Sequence, residues 1–169
     1  SVTSMTSWHF TAPAHPLVHP VPAFSDNYFW LLQSPDSRRA AVVDPGDAEP
    51  VLRALESRGL ELVCILLTHH HADHAGGVAD LTARTGARVV GPGTPKIPTV
   101  TETVAQDDPV DPGIGGPPAR VIAVPGHTLD HIAYLFPSLG PDPRPLLFCG
   151  DTLFAAGCGR IFEGTPDQM

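Results

Sequence analysis

The sequence predicts an α+β fold in which two β-sheets pack face to face with helices outside them, an αββα four-layer sandwich. Three observations carry that reading. Strand-like runs fill both halves of the chain, and helical spacing falls between only some of them. Residues 62–67, LVCILL, form an unbroken apolar run that suits a strand buried on both faces. At 169 residues, one domain can bury about 70% of its unfolded surface.

Taken in order, residues 1–14 hold no Lys or Arg and no long apolar core. They read as a loose tail, neither signal nor transit peptide, ahead of a domain over 15–169. Residues 15–24 carry Pro16, Pro20 and Pro22, which limits them to an edge strand. Residues 28–33 and 40–43 read as a hairpin closed by the turn Ser34-Pro35-Asp36-Ser37. Val51, Leu52 and Leu55 give helical spacing over 49–58, and Gly59 is placed to end that helix. After the 62–67 strand, 77–85 is a short helix stopped by Gly86, and 88–90 is a short strand. Residues 91–118 are rich in Pro and Gly and read mostly as loop, with weak strand character around 100–104. Strands over 120–124, 131–136 and 146–149 complete the set.

Composition narrows the function classes. The formal charge is −8 and Lys96 is the sole lysine, so no basic stripe exists for nucleic acid. Bound cations would offset part of that acidity. No stretch approaches the ~20 apolar residues of a membrane span. Cys64, Cys149 and Cys158 are an odd set without CxxC spacing, which fits reduced thiols in the cytoplasm better than a disulfide framework.

The chemistry concentrates in residues 68–77, THHHADHAGG, which hold four of the nine histidines. Imidazoles and a carboxylate at a strand end suit zinc, iron or manganese. His69 and His71 are two apart, so an extended segment points both at one ion. Asp73 and His74 come where the chain turns toward a helix and are placed for a second ion a few Å away. Two later strands run into similar groups: Pro125-Gly126-His127-Thr128 and Gly150-Asp151-Thr152. His127 alone would read as a structural histidine and Asp151 alone as a turn residue. Three such strand ends in one chain turn both toward metal binding. Asp44 ends a strand and reads either as a partner for a ligand histidine or as a turn residue before Pro45-Gly46. His131 reads as a supporting or core residue rather than a ligand, and His70 likewise. Nothing around Cys149 or Cys158 argues for a nucleophile. His15 and His19 carry no assigned role.

THHHADH, PGHT and GDTLF in this order resemble the metallo-β-lactamase fold superfamily. Within it the chain is similar to the glyoxalase II (hydroxyacylglutathione hydrolase) family, through FSDNYFWLL (24–32), VVDPGDA (42–48), PGHTLDHIAY (125–134) and above all FCGDTLFAAGCGRIFEGT (148–165). The resemblance implies a binuclear centre. His69, His71 and His127 hold the first metal, Asp73 and His74 hold the second, and Asp151 bridges both, with zinc favoured over iron or manganese. Asp73 and Asp151 are the implied catalytic carboxylates, and Arg160 and Phe162 the implied glutathione contacts. Such an ion pair supplies hydroxide near neutral pH. The implied reaction is hydrolysis of the glutathione thioester S-D-lactoylglutathione to D-lactate and glutathione, by a monomer. The family pattern has a seventh ligand, a histidine downstream of the GCGRxFEGT segment, and then a helical domain that contacts glutathione. Thr165-Pro166-Asp167-Gln168 reads as a helix start, which gives the expectation of a chain truncated before that domain. The rival readings are a mononuclear iron persulfide dioxygenase of the same superfamily, an RNA-processing nuclease, and an inactive fragment.

Overall fold

Parallel and antiparallel pairings divide the labour between two sheets. The structure, a computed structural model, describes residues 15–23, 27–69, 75–93, 100–123, 131–149 and 152–154. The first sheet has six strands in chain order: β1 Val18–Ala23, β2 Asn27–Gln33, β3 Arg39–Val43, β4 Glu61–Leu66, β5 Arg88–Pro92 and β6 Glu102–Val104. β1 to β3 are antiparallel neighbours, while β3 to β6 run parallel. The second sheet is antiparallel throughout, in the order β11-β10-β9-β8-β7. Its strands are β7 Pro109–Val110, β8 Ala119–Ala123, β9 Ile132–Phe136, β10 Leu146–Cys149 and β11 Thr152–Phe154.

Helices α1 (Ala48–Arg58) and α2 (Ala75–Thr85) form the outer layer on the first sheet. α1 starts where Asp47, in extended backbone, accepts the Glu49 N–H, and it stops at Gly59, whose φ of 64° is left-handed. Its Ala48, Val51 and Leu55 and α2's Val78 and Leu81 pack on Leu31, Val42, Leu62 and Ile65. On the other face, Ala41, Val43, Cys64 and Leu66 meet Val121, Tyr134, Phe136 and Phe148 of the second sheet. The Phe136 and Phe148 rings meet edge to face with centroids 5.7 Å apart.

The 62–67 run is therefore buried on both faces, as its composition demands. A register shift between Ala40 and Ala41 sets Leu62 and Cys64 against consecutive residues of β3. That bulge is why Leu62 and Ile65, three apart, both face the helices. β1 is an edge strand, as its prolines require. The weak strand character around 100–104 is β6, and most of the described residues of 91–118 lie outside strands, although β5 runs on to Pro92, β7 forms and Ile114 is core. Two expectations need correction. The 77–85 helix begins two residues earlier, at Ala75. A further strand, β11, follows Asp151. No helix covers the outer face of the second sheet among the described residues.

Candidate metal centre

The parallel pairing of β3 and β4 puts their C-terminal ends side by side, with Val43 opposite Leu66. Asp44 leaves one end, and Leu67-Thr68-His69 leaves the other. Loops beyond the carboxyl ends of parallel strands are where α/β folds place ligands. Asp44 sits in left-handed backbone at φ 48°, its N–H bonded to the Leu66 carbonyl at 2.9 Å. That conformation is unusual for a residue with a Cβ. It points the carboxylate at Thr68. Oδ1 accepts the Thr68 N–H at 2.8 Å, and Oδ2 lies 2.5 Å from Thr68 Oγ1. Thr68 is fully buried, and its Oγ1 is also 2.7 Å from His69 Nδ1.

The second sheet supplies the floor. The Ile132 N–H, at the start of β9, bonds the Thr68 carbonyl at 2.8 Å. His131, one residue before, lays its ring flat on His69, centroids 4.9 Å apart and planes 8° from parallel. Three residues after His131, the buried Tyr134 hydroxyl donates to the Leu67 carbonyl at 2.6 Å and approaches that of Val90 at 3.3 Å. Burial first, and the Asp44 charge second, hold that phenol well above its ordinary pKa, so it stays a donor. On the helix side, Gly77 in the first turn of α2 lies against the loop after Asp44. A Cβ there would stand 3.0 Å from Gly46 C and O and from Asp47 N.

Of the predicted ligands, His69 is described and is half-buried at this edge. His71, Asp73, His74, His127 and Asp151 lie outside the described residues, as do His70 and the proposed glutathione contacts Arg160 and Phe162. Among the described residues no three His, Cys, Asp or Glu side chains form a metal-sized cluster. β8 ends opposite the start of β9, with Ala123 paired to Ile132, and β10 runs back to that same edge. These are the strands that precede His127 and Asp151 in sequence. His131 stacks on His69, the one described residue among the predicted ligands. Asp44 reaches His69 through Thr68, a residue to which no role was assigned from its sequence context. Cys64 is buried, which pushes its thiol up to about 12, so it is no nucleophile.

A model of the metallo-beta-lactamase superfamily matches residues 24–168. This chain belongs to the metallo-beta-lactamase superfamily. Its curated relatives include the hydroxyacylglutathione hydrolase of Chromohalobacter salexigens, 52% identical over 152 residues, covering 90% of this chain and 57% of that protein. The hydroxyacylglutathione hydrolase of Ectopseudomonas mendocina is 56% identical over 150 residues, 88% of this chain and 56% of that protein. The chain thus spans about half the length of these relatives. Among solved structures, ETHE1 from Myxococcus xanthus aligns at a TM-score of 0.59 and 32% identity, over 70% of this chain and 52% of that one. A metallo-beta-lactamase from Cronobacter sakazakii aligns at 0.67 and 22% identity, over 92% of this chain and 72% of that one, which speaks to the fold alone. As a superfamily member with these relatives, the chain is built for divalent metal. Its donor set of imidazoles and carboxylates fits such ions, and the described part of the site already holds one imidazole by its Nδ1 side and its ring face.

Proposed function

We propose that this chain carries the metal-binding part of a glyoxalase II, a hydroxyacylglutathione hydrolase that cleaves S-D-lactoylglutathione to D-lactate and glutathione. The observation that carries the reading is identity of 52–57% to proteins of that name across nearly nine-tenths of the chain. His69, His71 and His127 would hold one ion, Asp73 and His74 a second, and Asp151 would stand between them, with zinc, iron and manganese all compatible. When bound, such ions supply a water of low pKa and a Lewis acid for the thioester carbonyl. The protein's own part is positional. Thr68 and His131 hold His69, Asp73 would orient the nucleophile, and Arg160 and Phe162 would contact glutathione. A thiolate leaves without strong help from a general acid, so no dedicated proton donor is required. The reading places the protein in the cytoplasm as a monomer acting on methylglyoxal-derived thioesters. Among the described residues no helix is long and apolar enough to cross a membrane.

Metal analysis of the purified chain, with loss of the thioester of S-D-lactoylglutathione followed spectroscopically, tests this. Divalent metal is expected to co-purify, and His69→Ala is expected to lower its content. One iron per chain with persulfide-dependent oxygen uptake would replace the hydrolase by a dioxygenase. Metal retained without hydrolysis would favour the inactive-fragment reading.

A further inference from the structure

We infer that Thr68 is a positioning residue that sets the tautomer of His69, relaying the charge of Asp44 to Nδ1 so that Nε2 carries the lone pair. The part of this that concerns metal rests on the function proposed above; the tautomer itself does not. The supply of protons along this chain of contacts decides the tautomer. A threonine hydroxyl has one proton to donate and lone pairs to accept. An ionised carboxylate can only accept. Thr68 Oγ1 lies between Asp44 Oδ2 at 2.5 Å and His69 Nδ1 at 2.7 Å, so its single proton goes to the carboxylate. The contact with the ring is then a hydrogen bond only if Nδ1 bears the proton and donates to Oγ1. A neutral imidazole has one N–H, which leaves the lone pair on Nε2.

The relay is held from every side that is described. The Thr68 N–H fixes the second carboxylate oxygen at 2.8 Å, which orients Asp44 relative to the hydroxyl it faces. Asp44 keeps left-handed backbone, where glycine would sit without strain but would bring no carboxylate. The Thr68 carbonyl takes the Ile132 N–H at 2.8 Å, and the flat stack with His131 holds the ring plane that the Oγ1 contact needs. A histidine ligand commonly meets its orienting carboxylate directly. Here a hydroxyl stands between the two, and that hydroxyl is what a substitution can remove while leaving both ends in place.

Long-range 1H–15N NMR of the histidine rings in the metal-free chain tests the tautomer without a variant. His69 is expected as the Nδ1–H form, and an Nε2–H form or an even mixture overturns the proposal. Thr68→Val keeps the shape and removes the hydroxyl, whereas Thr68→Ser keeps the hydroxyl. In chelator competition with zinc alone, Thr68→Val is expected to bind roughly 10- to 100-fold more weakly and Thr68→Ser close to the parent. Equal zinc affinity for Thr68→Val with an unchanged His69 tautomer would overturn the proposal. An Nδ1–H His69 in a chain that binds no zinc would support the relay and count against the proposed function instead.

Discussion

Replacing Tyr134 by phenylalanine removes one oxygen from the seam between the two sheets. The ring is fully buried, and its hydroxyl reaches the Leu67 carbonyl at 2.6 Å. In a parallel ladder that carbonyl would be met by a backbone donor from β5. The Leu67 N–H already bonds the Val90 carbonyl at 2.8 Å, so the next donor along the ladder is residue 92. Residue 92 is proline and has no N–H. The hydroxyl from the second sheet fills that gap, and the phenylalanine variant leaves a buried carbonyl without it. Val90 O keeps its bond from Leu67, so the loss is one acceptor rather than two. An unsatisfied buried group costs about 1–3 kcal/mol, and the ring's own packing is retained. We expect a loss of about 2 kcal/mol, equivalent to a fall of about 4–8 °C in Tm for a chain of this length. Urea unfolding read by tryptophan fluorescence and by far-UV circular dichroism measures it, with the midpoint lowered and the slope unchanged. Stability within about 0.5 kcal/mol of the parent would mean the carbonyl has another partner, and the seam argument would be wrong.

Two other perturbations probe the same edge and its opposite end. Gly77→Ala improves helix propensity by up to about 1 kcal/mol but drives a Cβ against backbone that cannot rotate away. A net loss of about 1 kcal/mol in thermal unfolding is expected, and a variant more stable than the parent would show that α2 is free to shift. His15 is buried, accepts the Leu17 N–H on Nδ1 at 3.1 Å, and has Nε2 without a hydrogen-bond partner among the described residues, 4.0 Å from the Asp142 carboxylate. Burial lowers its pKa from the ordinary 6.5, against the opposing pull of Asp142. The folded state therefore binds fewer protons than the unfolded one as pH falls. The stabilising contribution is complete above about pH 6.5 and is lost as pH falls below it through the folded value. Urea midpoints of the parent should drop between pH 7 and 5 more than those of His15→Asn, and parallel profiles would remove His15 as the cause.

The contrast between what the chain disclosed and what it withheld lies in the distance over which each feature acts. The Gly59 stop and the doubly buried 62–67 strand are local patterns, each carried by a few consecutive residues. The proposed metal-binding loop stands out for the same reason: its imidazoles and carboxylate are neighbours in sequence after an apolar strand. What holds the loop is not local. Asp44 meets Thr68 across 24 residues and Tyr134 meets Leu67 across 67, through registers between strands that no periodicity encodes. Asp44 could be suspected because it ends a strand near the site, but its route to His69 needed the parallel register of β3 and β4. Thr68 gave no signal at all, since a threonine before a histidine fits any strand end. Pro92 is the most instructive case. Read alone, it marks a stretch poor in strand character; in the sheet it removes the donor that Leu67 needs, and so gives a tyrosine in the other sheet its task. The proposed ligands are suggested by their own side-chain chemistry, whereas the task of Tyr134 is defined by a hydrogen bond that the backbone of Pro92 cannot make.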